Sequence, residues 1–361
     1  MAWKRIILFL FIFSLNSEAT EIELKKIAEF DEPWGSTFIS NEELLLTEKS
    51  GKIKLINITS RNISEINHNL KVLEDGQGGL LDILYKNNNV WVSYSEDHGK
   101  YKSTTSIAKA KFNLNQLNFK NIFVANPPIK SGYHFGSRLA LKGEYLFASL
   151  GERGQGMIAQ DASKYPGSII RIKSDGSVPT DNPKFTDKKD WLPEIFQIGV
   201  RNPQGLTLSP FDGKIYISNH GARGGDWFGE VKKGENYGWK ILGWGGTNYS
   251  GTKIGPKWLP GYTKAIKYWV PSIATSAITI YQGEDDGTNG PEGFYIGPFN
   301  GNAVWRSFWN PSFLDIIGSH SNTTYTYKVQ AAVTDQSSSD RIRINKASSA
   351  KSTITLMEVA V

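Results

Sequence analysis

Short apolar runs separated by polar, glycine-bearing turns recur along the chain, and the 3.6-residue return of apolar positions that marks an amphipathic helix is scarce. Strand-like runs fall at 43–48, 52–56, 80–85, 89–94, 105–112, 145–150, 168–172, 205–208 and 214–218. Gly, Asn, Asp or Pro bounds them, which is the punctuation of short strands. One unit repeats imperfectly: a polar turn, an apolar strand, then small or charged residues. It is seen in "NEELLLTEKSGKIKLIN" from Asn41, "NNNVWVSYSED" from Asn87, "GEYLFASLGERG" from Gly143 and "DGKIYISNHG" from Asp212. Repetition of this kind predicts propeller blades, radial four-stranded sheets whose loops converge at one end of a central channel. A β-sandwich is the alternative. This many strands in one chain, with no Pro- or Ser-rich linker, favours the propeller. No internal boundary is evident before about residue 299, so 20–361 is read as one domain.

Composition agrees with an all-β chain: Gly 36, Pro 15 and 12% aromatic residues supply turn dihedrals and pleated-surface side chains. At the N-terminus, Lys4 and Arg5 precede an apolar run over 6–15, and Ser17, Glu18 and Ala19 form a small-residue cleavage site. The run is short of the ~20 apolar residues that span a bilayer. The expectation is a signal peptide over 1–19 and an exported product, periplasmic or secreted, without stable membrane insertion. Cysteine is absent, which excludes disulfides, thiolate catalysis and Cys-based metal sites. Losing Lys4, Arg5 and Glu18 with the leader takes the formal charge from +6 to +5. No concentrated basic run remains to face phosphates, so nucleic acid is not an expected partner.

The chemistry lies in the turns. Four glycine-rich clusters stand out: "GQGGLLD" over 76–82, "HFGSRLA" over 134–140, "GVRNPQGL" over 199–206 and "NHGARGGD" over 219–226, the last followed by "GENYGW" over 234–239. Singly, each has a plain role in turn formation. Together they supply a His, arginines, a Gln and an Asn, the set needed to bind a compact polyanion beside a proton acceptor. Arginine forks pair with carboxylates, and glycines let the backbone approach a flat ligand.

These clusters in this order, with "LGERG" over 150–154, "DGSVPTDNP" over 175–183 and "PSIATS" over 271–276, resemble the soluble PQQ-dependent glucose and aldose sugar dehydrogenases, from about residue 33 to 281. The resemblance implies a six-bladed β-propeller with pyrroloquinoline quinone (PQQ) and calcium at the channel mouth. It also implies oxidation of aldose sugars to lactones, with electrons passed to an external acceptor. His134 matches the general base, an imidazole suited to accept a proton near pH 7. Arg201 and Asn202 match residues that contact the quinone, Gln77 one that hydrogen-bonds PQQ, and Tyr249 a residue bordering it. For calcium, the matching donors are the turn at Gly221 and Ala222 and that at Tyr237, hard oxygen ligands suited to the ion. Ala222 stands where the family has Pro, and Trp227 where an acid is common; Asp226 and Glu230 lie nearby.

Past 281 the pattern changes. "GFYIGPFNGNAVWR" reads as a strand pair, with Asn300 and Gly301 where a basic cofactor contact is expected. Arg341 and Arg343 of "RIR" resemble the family's late pair of PQQ-carboxylate contacts. The Ser- and Ala-rich ending "NKASSAKSTITLMEVAV" is assigned to no blade. The last blade is therefore expected to be incomplete, through truncation or a shifted reading frame. Two other functions stay open: a ligand-binding propeller that has lost cofactor and catalysis, and a metal-dependent lactonase, which needs several carboxylates at the channel mouth.

Overall fold

The computed structural model describes residues 22–187, 189–281, 293–298 and 351–359. Among these the fold is all-β, with one short 3₁₀ turn at Gly156–Gln160. No helix is long and apolar enough to cross a membrane among the described residues.

After β1 (Ile22–Asp31), the chain folds as successive antiparallel meanders. The first is β2 (Pro33–Phe38), β3 (Glu43–Glu48), β4 (Lys52–Asn57) and β5 (Ile63–His68). The second takes β6 (Leu80–Lys86), β7 (Asn89–Asp97) and β8 (Ser103–Lys111); then β9 (Gln116–Leu117) pairs in parallel with β5, and β10 (Lys120–Val124) completes the second sheet. The third is β11 (Gly136–Lys142), β12 (Tyr145–Leu150), β13 (Ser168–Lys173) and β14 (Ile195–Ile198). The fourth is β15 (Pro203–Leu208), β16 (Ile215–Asn219), β17 (Asp226–Glu230) and β18 (Lys267–Trp269). A pair follows, β19 (Thr275–Tyr281) with β20 (Gly293–Pro298). Last, β21 (Lys351–Val359) runs antiparallel to β1. The ending assigned to no blade is thus partly a strand.

Period-two alternation explains why these sheets stack radially. Side chains on successive strand residues point to opposite faces. On β7, Val90, Val92 and Tyr94 join a core with Leu45 and Ile53 of the first sheet, while Trp91 joins one with Leu146 and Ile170 of the third. On β12, Leu146, Ala148 and Leu150 face the second sheet, and Phe147 packs with Ile217 and Trp227 of the fourth. A sheet buried on both faces reads as a nearly continuous apolar run. Each such sheet is gripped between its neighbours, the packing of propeller blades. The first strand of each sheet is innermost: β2 packs on β6, β6 on β11, β11 on β15 and β15 on β19.

An ion pair joins these inner strands. Arg138 on β11 reaches Asp82 on β6 (Nη1–Oδ1 3.3 Å), donates from Nε to the Gln204 carbonyl on β15 (2.8 Å), and lies 3.9 Å from the Trp34 ring centroid on β2. Asp82 Oδ2 also accepts the Leu139 N–H (2.8 Å). Burial pushes the Asp82 carboxyl up, against the pull of Arg138. Arg138 belongs to one of the glycine-rich clusters, yet its place is this junction between blades.

Candidate functional site

The turns that enter the inner strands and those that leave the second strands meet at one end of the sheets. The register of the β11–β12 hairpin, with Gly136 opposite Leu150, brings His134 beside Glu152. His134 Nδ1 lies 2.5 Å from Glu152 Oε1, and Glu152 Oε2 accepts the Gly156 N–H at 2.5 Å. With that carboxylate accepting the Nδ1 proton, Nε2 carries the lone pair. Among the described residues no protein group bonds Nε2, and the side chain is 13% exposed.

The His134 backbone is held hard. Its N–H donates to Gln77 Oε1 (2.9 Å), which leaves the Gln77 amide nitrogen as the donor end. A Cβ on Gly151 would fall 2.0 Å from the His134 carbonyl oxygen, so only glycine permits this approach. His134 itself has φ +52, a left-handed conformation costing about 1–2 kcal/mol for a non-glycine residue. Strain of this kind persists where the surroundings over-determine it.

Arg201 and Asn202 sit at the head of β15. Both backbone N–H groups donate to Asn219 Oδ1 at 3.0 Å, and the Arg201 carbonyl accepts the Glu152 N–H at 2.8 Å. The Arg201 guanidinium lies 5.4 Å from the Trp239 ring centroid. It is 5% exposed, and among the described residues no protein acceptor or carboxylate pairs with it. A buried cation so placed calls for an anionic partner. Asn202 Oδ1 accepts Gly136 N–H (3.1 Å) and Gln204 Nε2 (3.0 Å), while its Nδ2 donates to no protein group among the described residues.

Burial pushes the His134 imidazole below its usual value; the bond to Glu152 opposes this, and the charges of Arg201 and Arg153 add to it. The ring is therefore neutral near pH 7. His220 is shifted down as well, first by burial, with Asp226 pulling up and Arg201 and His134 pushing down. The two imidazoles and Arg201 thus form one electrostatic neighbourhood.

The proposed metal turn is ordered by Asp226. Its Oδ1 accepts the Gly221 N–H (2.8 Å), and its Oδ2 accepts Ser272 Oγ (2.6 Å), Ile273 N–H (2.9 Å) and Ala274 N–H (2.7 Å). Ala222 bridges to Gly224 in the same turn. Trp227, read as a lost acid, faces the other way: it is 2% exposed and stacks on Tyr237 at 4.0 Å, inside the core between the third and fourth sheets. Tyr237 is fully buried and its hydroxyl donates to the Glu230 carbonyl (2.7 Å), so only its backbone is left to serve a cation. Among the described residues no group of three or more His, Asp or Glu side chains is set to hold a metal. Tyr249 is 74% exposed. Asn300, Gly301, Arg341 and Arg343 lie outside the described residues.

Radial sheets whose turns gather a carboxylate-held imidazole beside a buried guanidinium are the architecture of a β-propeller with its polar site at one end. The model for the Glucose / Sorbosone dehydrogenase family matches residues 30–308, past the point where the sequence pattern breaks, and the chain belongs to that family. It is 34% identical over 269 residues to aldose sugar dehydrogenase YliI of Escherichia coli strain K12, spanning 71% of this chain and 72% of that one. Quinoprotein glucose dehydrogenase B of Acinetobacter calcoaceticus is 26% identical over 247 residues, 59% of this chain and 51% of that one. Among solved structures, the soluble aldose sugar dehydrogenase of Escherichia coli in its apo form superposes with a TM-score of 0.72 at 30% identity, covering 77% of this chain and 83% of that one. These relatives are sugar dehydrogenases, so sugar oxidation is the chemistry of the family.

Glu152, Asn219 and His220 were given no role from sequence. Glu152 had a signal: it follows a strand predicted at 145–150 within the quoted "LGERG" turn, and hairpin register places it opposite the "HFG" turn.

Proposed function

We propose that this chain is a PQQ-dependent aldose dehydrogenase that oxidises the anomeric carbon of an aldose to a lactone and passes the electrons to an external acceptor, on a six-bladed ring. The observation that carries the reading is His134, fixed on Glu152 through Nδ1 with Nε2 unbonded among the described residues, next to a buried Arg201 guanidinium that pairs with no carboxylate among them.

The residues fit a planar, carboxylate-bearing quinone. Arg201 supplies an open cationic fork, and Asn202 Nδ2 and the Gln77 amide nitrogen are donors without protein acceptors among the described residues. When bound, PQQ supplies the two-electron acceptor that takes hydride from the sugar carbon. His134 Nε2 accepts the proton of the anomeric hydroxyl as that hydride departs, and Glu152 stabilises the imidazolium through Nδ1. Arg201 stabilises negative charge developing beside it. Arg341 and Arg343 are proposed as further carboxylate contacts. Calcium is proposed on the backbone carbonyls of Gly221, Ala222 and Tyr237, because oxygen donors of the main chain do not depend on the side chain. With Trp227 turned into the core, its replacement of an acid takes nothing from that turn.

A test that does not depend on turnover is titration of PQQ into the purified chain, with and without calcium, followed by quinone absorbance. Arg201→Met is expected to weaken binding roughly 10- to 100-fold, the worth of about 1.5–3 kcal/mol for a charge-assisted bond. Absence of any saturable binding by the unaltered chain would favour the non-catalytic propeller.

A further inference from the structure

Arg153 is buried, 2% exposed, and has φ +58. It forms no salt bridge among the described residues. Its guanidinium is spent on neutral acceptors instead. Nε donates to the Tyr133 carbonyl (3.1 Å), Nη1 to the Ser103 carbonyl (2.9 Å), and Nη2 to both Ser103 Oγ (3.1 Å) and the Ser131 carbonyl. The same guanidinium lies 3.6 Å from the Phe135 ring centroid, and the Arg153 backbone N–H donates to the His134 carbonyl (3.2 Å). One side chain therefore grips residues 131, 133 and 135 on both sides of His134 and ties them to the start of β8.

Burying an unpaired cation is costly and needs several good hydrogen bonds in return. Burial lowers the Arg153 pKa to about 10, while the charges of Asp75 and Glu152 act to raise it. A lysine offers three donors on a point charge and cannot reproduce a fork that reaches three backbone carbonyls on two separate segments. The turn it grips is the one that needs holding: Tyr133 is 63% exposed, and His134 is in the left-handed region.

We propose that Arg153 is the positioning residue of the His134 base, its guanidinium clamping the 131–135 turn so that the imidazole is presented to substrate from Glu152. This rests on the reading of His134 as the base. The charged and titratable groups facing that imidazole are Glu152, Arg153, Arg201 and His220.

Two variants and a second readout test the clamp. Arg153→Lys keeps the charge and loses the fork: kcat is expected to fall about 100-fold, the scale of a small misplacement of a reacting group, with KM for the sugar little changed. Its acid limb of kcat/KM should stay where it is in the unaltered chain. Arg153→Ala loses both, so the limb should also move to higher pH, because removing a cation lets the His134 pKa rise. Guanidinium ion added to that variant should restore part of kcat. The non-kinetic readout is the ring ¹⁵N spectrum of labelled histidine in the chain without cofactor, with the His134 signals assigned by His134→Asn. Arg153→Ala should raise the His134 titration midpoint and blur its single Nδ1–H tautomer. A folded Arg153→Lys with unchanged kcat, or an Arg153→Ala spectrum with the same midpoint and tautomer, would overturn the clamp. Retained activity in His134→Asn would instead overturn the assignment of the base.

Discussion

At the scale of residues, the chemistry depends on which nitrogen of His134 is open. Glu152 accepts the Nδ1–H hydrogen bond, which leaves Nε2 as the proposed base, and burial together with Arg201 and Arg153 lowers the pKa so that the ring is neutral near pH 7. A base with a lowered pKa is competent above that value and fails as pH falls through it. The acid limb of kcat/KM should therefore lie below about 6.5, the unperturbed value. Glu152 raises the His134 pKa, so Glu152→Gln should shift that limb to still lower pH while lowering kcat, since an amide can stabilise the wrong tautomer. A limb moving upward in this variant would contradict the assignment. The candidate base was singled out from "HFGSR". Its partner was not, because the two are 18 residues apart and only the β11–β12 register brings them together. Tyr249, matched to a cofactor border, is an exposed residue. Trp227 was matched to a site position, yet alternation along β17 sends it into the core. The carboxylate that organises that turn is Asp226, one residue earlier.

At the scale of elements, the strands readable from sequence were mostly those with long apolar runs buried against neighbouring sheets. β3, β4, β6, β7, β8, β12, β13, β15 and β16 fall on the predicted runs with small differences at the ends. β7 and β8 extend past their predicted runs because their hairpin pairing continues through Ser95, Glu96 and Asp97 on one strand and Ser103 and Thr104 on the other, polar residues that the apolar pattern excludes. Of the strands missed by that pattern, β5 and β18 are held by pairing rather than by two-sided burial, whereas β14 is buried at all four residues but is short and broken by Gln197. β5 has four of six residues exposed and survives on its ladder to β4 and β9. β18 is a three-residue edge strand with no buried residue. β17 carries Asp and Glu at its ends and a glycine, yet four of its five residues are buried because Asp226 meets its hydrogen bonds inside the protein. β21, within the ending assigned to no blade, pairs with β1 in a two-stranded sheet apart from the four-stranded ones.

At the scale of the molecule, recurrence of one turn-and-strand unit predicted radial sheets, and the shared cores between successive sheets are that arrangement. The inner strands are joined by the Arg138–Asp82 pair, which touches four sheets. Removing one partner of a buried pair strands the other charge, so Arg138→Met should cost about 3–5 kcal/mol in urea unfolding. Adding Asp82→Asn removes the stranded carboxylate while keeping an acceptor for the Leu139 N–H, and part of that loss should return, with a coupling of about 0.5–3 kcal/mol. Strict additivity would mean that the pair does not act as a unit. The proposed function of this scaffold is a quinone-dependent sugar oxidation with His134 as base. Its most direct test is dye-linked oxidation of an aldose panel by the purified chain, with and without PQQ and calcium, beside His134→Ala. The account predicts activity that requires PQQ and falls about 100- to 10,000-fold in the variant, the range of a general base. Activity indifferent to PQQ, or undiminished in the variant, would contradict it.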